Sequence, residues 1–194
     1  VLTSDDIAVE NSTYTTGRRG VAGTVIVEKV IGSLAETGAD LAACKELGDK
    51  VNDHTASMGV ALTSCIVPAA GRPTFDIGDN ELEMGVGIHG EPGRRREAMR
   101  PADAIVADLV AAILEDFKFR ALRPDDGGEA LLMINGFGGT PLMELYLLYN
   151  AAAKLLEQQG INISRSLVGN YTTALEMAGA SVTVCLLDDE IRKH

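Results

Sequence analysis

Cysteine pairs are missing. The three cysteines, Cys44, Cys65 and Cys185, are widely spaced, each sits in an apolar stretch, and no CxxC occurs. That pattern argues against a disulfide framework or a thiolate metal site, and for buried free thiols in a reducing cytoplasm. Basic residues are scarce: 17 Lys and Arg face 28 Asp and Glu, a net charge of −11. Such a chain repels phosphate backbones and anionic lipid, so neither nucleic acid nor a membrane surface is expected as a partner. No apolar run is long enough to span a bilayer, and no signal peptide is expected. GxxxxGK[ST] is absent, as is any cluster of aspartates at metal-ligand spacing, so no nucleotide or magnesium site is expected in this chain. Internal repeats and low-complexity segments are absent too. There is no initiator Met, and Val1-Leu2-Thr3 reads as a strand end running into Asp5-Asp6, which predicts that the sequence starts inside a longer protein.

What is present is apolar and periodic. Hydrophobic residues make up 46 % of the 194, enough to bury a core in one large domain or a domain with an arm. Residues 1–20 are strand-like, then polar and irregular. Within residues 21–36, Val21, Val25, Val27, Val30, Ile31 and Leu34 fall at helical spacing, and Gly38 ends the helix. Asp40 is expected to cap a second helix reaching about residue 51. Residues 58–62 read as a buried strand, and Pro68 with Gly71-Arg72-Pro73 as a loop. Residues 82–88 read as a strand that leads into a glycine-rich loop ending at Gly93. Pro101 suits the first turn of a helix to about residue 117, in which Ile105, Leu109, Ala112 and Ile113 recur. Residues 125–128 look like a surface turn. Residues 130–134 form a short strand feeding Asn135-Gly136-Phe137-Gly138-Gly139, after which Thr140 is expected to cap and Pro141 to open a helix to about residue 159. Gly160 stops it. Residues 161–169 and 181–187 supply two more strands, with a turn or short helix between them. Strands alternating with helices give the α/β class. Several links are too short for a helical crossover, so a mixed β-sheet with packed helices is expected.

The most informative stretch is Gly85-Val86-Gly87-Ile88-His89-Gly90-Glu91-Pro92-Gly93. Its first six residues satisfy G-x-G-x-x-G, but a dinucleotide turn must open a helix whose N–H groups point at the pyrophosphate. Pro92 and Gly93 oppose that helix, and the Glu91 carboxylate would repel phosphate. Four glycines around one histidine instead let backbone approach a small ligand. An imidazole exposed there can serve as base, ligand or nucleophile; the alternative is a histidine hydrogen-bonded inside a tight turn.

GVGIHGEPG resembles the motif of the dihydroxyacetone kinase substrate-binding subunit. YTTGRRGVAGTVIVEK at 14–29, Val67-Pro68-Ala69-Ala70-Gly71, NGFGGTPLMELY at 135–146 and residues 167–179 are similar to the same family, in the same order and nearly end to end. The resemblance implies the second domain of that subunit's fold. Residues 1–20 would then be a remnant of an upstream domain or a connecting arm, and residues 21–194 the α/β domain that carries the histidine. It implies that His89 adds through a ring nitrogen to the ketone carbon of dihydroxyacetone, giving a covalent hemiaminal, with Gly87 and Gly90 beside the substrate. A neutral imidazole adds to a carbonyl but not to an alcohol, so a short ketose or aldehyde is selected over glycerol. The bond also fixes a terminal hydroxyl for in-line attack on a donor phosphate. The resemblance further implies a cytoplasmic homodimer of glycerol metabolism. Its partner would be a nucleotide-binding kinase subunit or domain that holds nucleotide and magnesium, driven by ATP or by the phosphotransferase system. The family's acid/base aspartate and second histidine, with the glycine-rich sugar loop, belong to a region upstream of Val1. This piece is therefore expected to hold half a site and to be inactive alone. The alternative is a non-catalytic small-molecule-binding or regulatory protein of the same fold.

Other residues have competing readings. Arg94-Arg95-Arg96 could attract a phosphoryl donor, but a solvated loop is the plainer expectation. Arg18-Arg19 could bind an anion; a structural role is preferred, capping carbonyls or pairing with Asp5, Asp6 or Glu10. Asn135 to Gly139 is a strand-to-helix turn of the kind that often meets ligands. Glu91 either orients the imidazole or faces water. His54 is expected to be solvated at a helix end, and His194 is uninformative. Met133, Met143 and Met177 are assigned to the core or its edge.

Overall fold

A computed structural model of the chain describes residues 1–10, 17–88, 91, 93–122 and 128–194. In chain order the elements are α1 (Gly23–Glu36), α2 (Leu41–Asp53), β1 (Thr55–Ala61), β2 (Glu81–Met84), β3 (Arg95–Ala98), α3 (Ala102–Phe119), β4 (Glu129–Gly136), α4 (Leu142–Gln158), β5 (Asn162–Gly169), β6 (Gly179–Leu187) and α5 (Asp189–Lys193). The strands form one six-stranded sheet in the order β3-β2-β1-β6-β4-β5. Only β4 and β5 run parallel, joined by α4; the other neighbours are antiparallel. The expected mixed α/β sheet is present, and the adjacent parallel pair is joined by a helix, as a parallel connection requires.

Strand periodicity places the core on both sheet faces. From β1, β4 and β6, the residues Ala56, Met58, Val60, Leu132, Ile134, Val182 and Val184 pack with α3 and α4 residues such as Val106, Leu109, Ile113, Leu145 and Leu156. The alternate residues Met133 and Cys185 face Ile26, Val27, Val30, Leu47 and Val51 of the α1–α2 pair. All three cysteines are free and buried, as expected. Burial pushes the Cys185 thiol up to about 12, which keeps it protonated and inert.

Local signals work where chemistry is local. Gly38 (φ +86°) closes α1, Asp40 caps α2 by accepting from Ala43 N at 2.9 Å, and Gly160 (φ +77°) follows α4. The α1 N-terminus is satisfied from farther away. The Asp5 carboxylate accepts from Val21 N at 2.9 Å and Gly23 N at 2.8 Å, and from the Ser57 hydroxyl on β1. Residues 1–5 form no strand of their own. Asp6 makes a single parallel bridge with Ser57, and Ile7 N donates to Ser57 O at 3.0 Å. This short segment lies beside the part of β1 that β2 does not reach, because β2 pairs only with Val60 and Ala61.

Four further expectations change. Thr140 does not cap α4: its hydroxyl donates to Gly179 O at 2.7 Å and accepts from Gly179 N at 2.8 Å, while Pro141 takes the cap position. Met143 is 81 % exposed on α4, although Met133 and Met177 are fully buried. His54 is part-buried at the end of α2, with its Nδ1 2.8 Å from Lys50 O. The strand expected over residues 82–88 stops at Met84, because Gly85 turns the chain at φ +80°. The turn expected at 125–128 lies outside the described residues except for Gly128.

Candidate functional site

The glycine-rich loop hangs between two antiparallel strands. β2 alternates Glu81, Leu82, Glu83 and Met84; Leu82 and Met84 enter the core and the two carboxylates face the other way. Gly85 then takes a left-handed turn that a side chain would resist, and its N–H donates to Gly59 O at 2.7 Å. Val86 is buried with Ala61, Cys65, Phe137, Ala174 and Met177, and Ile88 and Phe75 pack against that cluster. The loop closes on itself through Gly87 N donating to Glu91 O at 3.2 Å, and returns to β2 through Arg94 N donating to Met84 O at 2.7 Å. The next element is strand β3, not a helix, so the dinucleotide reading fails on structure as it did on Pro92 and Gly93.

Of the expected site residues, Gly87 lies among the described residues. His89, Gly90 and Pro92, like the Tyr14 to Thr16 part of the upstream motif, lie outside them. What is described is the frame on which His89 is carried. Gly87 sits against two side chains: a Cβ there would lie 2.7 Å from Arg19 Nη1 and collide with the Glu91 carboxylate. Glu91 is buried, so the reading in which it faces water does not hold. A groove of about 420 Å³ opens nearby, lined by Leu62, Thr63, Ser64, Ile66, Phe75 and Asp76, among others. It shares Phe75 with the apolar floor of the loop.

The arginines are committed to protein partners. Arg19 is buried; its Nε donates to Asp6 Oδ2 and its Nη2 to Gly85 O, each at 2.8 Å. The expected structural role is present, with both a carboxylate and a carbonyl. Arg18 goes elsewhere, to Asp116 on α3 at 2.7 Å. Burial pushes the Asp6 carboxyl up to about 6 despite the Arg19 guanidinium, whose attraction opposes the shift. The Arg94-Arg95-Arg96 run is exposed, as expected, but only Arg94 lies in the loop. Arg94 donates to Ala8 O at 2.9 Å and to Ile7 O. Arg95 and Arg96 begin edge strand β3 and pair with Asp108 at 2.6 Å and Glu83 at 3.0 Å. Sequence inspection missed Arg94 and Glu83 as loop anchors. Glu83 keeps the alternation of β2 and carries no separate signal in the sequence; it accepts the Gly93 N–H at 3.2 Å.

The 135–139 turn reaches the loop through packing rather than polar contact. Asn135 is fully buried and fully used: its amide donates to Thr172 O at 2.8 Å, and its oxygen accepts from Tyr171 N at 2.9 Å and Thr172 N at 2.8 Å. Phe137, two residues on, lies under Val86 in the shared cluster. Among the described residues no group of three His, Cys, Asp or Glu side chains is placed to hold a metal ion, and no helix is long and apolar enough to cross a membrane.

With this geometry in hand, comparison with known proteins is decisive for the family. The Dak1 domain matches residues 1–194. The chain is 48 % identical over 190 residues to the dihydroxyacetone-binding subunit DhaK of PTS-dependent dihydroxyacetone kinase 1 from Listeria innocua, covering 98 % of this chain and 56 % of that protein. It therefore spans little more than half the length of that relative. Among solved structures it superposes on the dihydroxyacetone kinase operon co-activator DhaQ with a TM-score of 0.87 at 31 % identity, covering 97 % of this chain and 57 % of the other. It also superposes on the dihydroxyacetone kinase of C. freundii solved with AMP-PNP and Mg2+, with a TM-score of 0.81 at 30 % identity, covering 100 % of this chain and 34 % of the other. The ordered motifs, the mixed sheet and the loop frame agree with these matches, and the chain belongs to the Dak1 domain family, among relatives named as dihydroxyacetone-binding subunits of dihydroxyacetone kinase.

Proposed function

We propose that this chain is the sugar-holding part of a dihydroxyacetone kinase and that His89 captures the substrate covalently. The observation that carries the reading is the loop frame: an apolar floor, a left-handed Gly85 and a buried Arg19 hold the described residues on either side of His89 at the end of β2. The relatives named as dihydroxyacetone-binding subunits supply the substrate class.

In the proposed step the lone pair of one imidazole nitrogen forms a bond to the carbonyl carbon. The C=O π pair moves to oxygen, which takes up a proton, and the other ring nitrogen gives up its proton. No atom is lost, so the hemiaminal adds the whole mass of the sugar. Glycerol has no carbonyl and gives no adduct, a stronger discrimination than hydrogen bonds to hydroxyls provide. Phosphoryl transfer then needs a donor subunit or domain carrying nucleotide and magnesium; the C. freundii kinase solved with AMP-PNP and Mg2+ supports that assignment. Residues 1–20 are proposed as the arm from an upstream domain that completes the site, and residues 21–194 as the second domain. The chain is also proposed to self-associate in the cytoplasm, and the exposed apolar side chains Leu142, Met143, Tyr146 and Leu147 on α4 support a contact there.

Mass spectrometry under non-denaturing conditions tests the capture step. Dihydroxyacetone is expected to add one sugar mass and glycerol none; equal binding of both, or of neither, contradicts the reading. The likeness to the DhaQ co-activator favours a second reading, a binding protein without turnover. Full-length protein assayed with a nucleotide-binding subunit separates the two, since only the kinase reading yields dihydroxyacetone phosphate.

A further inference from the structure

We infer that the buried Asp6–Arg19 ion pair is a positioning device for the sugar-capturing loop, and that Arg19 acts on capture through the backbone of Gly85 and Gly87 without touching the sugar. The inference rests on the proposed role of His89 but adds residues outside the motif that carries it.

The geometry is specific. Arg19 uses all three of its nitrogens around the loop: Nε on Asp6 at 2.8 Å, Nη2 on the Gly85 carbonyl at 2.8 Å, and Nη1 beside the space that a side chain at Gly87 would fill. A planar fork of this kind fixes direction as well as distance, which the point charge of a lysine does not. Asp6 is itself held: its Oδ1 accepts from Ala8 N at 2.9 Å, and its backbone N–H donates to Arg19 O at 3.1 Å. The far end of the loop returns to the same segment, because Arg94 donates to Ala8 O at 2.9 Å and to Ile7 O. Residues 6–8 thus anchor the loop at entry, through Arg19, and at exit, through Arg94. A buried ion pair is weak evidence for stability, because desolvation offsets its attraction. Here the pair costs enough that burial outweighs Arg19 at the Asp6 carboxyl. Its retention in this position is accounted for by what Arg19 does at Gly85. Gly87 receives a second explanation as well: the missing side chain makes room for Arg19 and Glu91.

The test is the double variant Asp6→Asn/Arg19→Gln. It removes both charges of the ion pair together, so neither Asp6 nor Arg19 is left buried without its partner, and glutamine is too short to span Asp6 and Gly85 at once. Amide exchange by NMR at pH 7.5 and the rate of dihydroxyacetone capture by mass spectrometry are the readouts. A folded double variant is expected to lose at least tenfold in both Gly87 amide protection and capture rate, with α4 amides unchanged. Val30→Ala, a cavity in the α1 core remote from the loop, is expected to lower thermal stability while capturing at the wild-type rate. Arg19→Lys, which keeps the charge, is expected to stay impaired in capture. Wild-type exchange and capture in the folded double variant would overturn the inference. So would a wild-type Gly87 amide that exchanges as freely as an unstructured loop, and that measurement needs no variant. If wild type captures no sugar at all, the functional reading fails, while the exchange comparison still decides whether the pair pins the loop.

Discussion

Asp6 shows how one buried carboxyl can report on the site frame. Desolvation raises its proton affinity from an ordinary value of 3.8 to about 6, against the pull of Arg19. A raised carboxyl means that the folded chain holds this proton more tightly than the unfolded one. Its contribution to stability is present below pH 3.8 and is lost as pH rises through about 6. Asp6→Asn should therefore flatten the fall in urea midpoint between pH 4.5 and pH 7; an unchanged slope would show that another group titrates there. At the same scale, His89→Ala should abolish sugar capture without changing far-UV circular dichroism or the melting temperature by more than a degree or two. The imidazole is exposed in the proposed mechanism, and substitutions at exposed positions have small effects on stability.

Among the elements, the turn after β4 and the start of β6 form a polar staple that holds Phe137 beneath the loop. Thr140 is its key hydroxyl, since it both donates to and accepts from Gly179. Thr140→Val takes the hydroxyl partner from the Gly179 N–H, while Gly179 O keeps the Phe137 N–H at 3.1 Å, and should cost about 1–3 kcal/mol in urea unfolding. Phe137→Ala should cost about 3–5 kcal/mol and loosen Val86 in the loop. How much of this was legible in sequence differs by element. Helices α1 to α4 were, because apolar spacing, Gly38, Asp40 and Gly160 are local signals, whereas the short α5 was not anticipated. Strand β3 was not: Arg95-Arg96-Glu97-Ala98 has no apolar alternation, and its pairing comes from the return of the loop onto β2. Its charges instead suit an edge that must not recruit further strands. Thr140 was misread because a threonine before a proline looks like a cap, while a partner 39 residues away claimed its hydroxyl. Met143 was misread because α4 is apolar beyond the stripe that faces the core. The GVGIHGEPG motif was legible, but not the anchors Arg94 and Glu83, whose roles depend on chain segments brought together only by folding.

For the whole molecule, the sheet buries both faces while α4 keeps Leu142, Met143, Tyr146 and Leu147 half or more exposed. Side chains so placed in a row are the mark of a contact surface. Light scattering over a concentration series should give the mass of two chains, and Met143→Asp should shift the equilibrium toward one. A monomer at every concentration would remove self-association from the account. The two ends of the chain are tied to its middle by Asp5 on α1 and by Lys50 pairing with Asp188 and Glu190. Lys50 is raised and Asp188 lowered in proton affinity, with Asp188 first among the causes at Lys50. The Asp188 contribution is present at neutral pH and lost on acidification, opposite in sign to Asp6.

The central claim is a covalent bond between one ring nitrogen and one carbonyl carbon, and NMR reads that bond directly. Protein labelled with 15N in its histidine rings is mixed with dihydroxyacetone carrying 13C at the ketone carbon. The account predicts a protein-bound carbon in the tetrahedral range, split by one-bond coupling to nitrogen, and the loss of that signal in His89→Ala. Free ketone and hydrate signals alone at saturating sugar, or a coupling that survives in the variant, would contradict it.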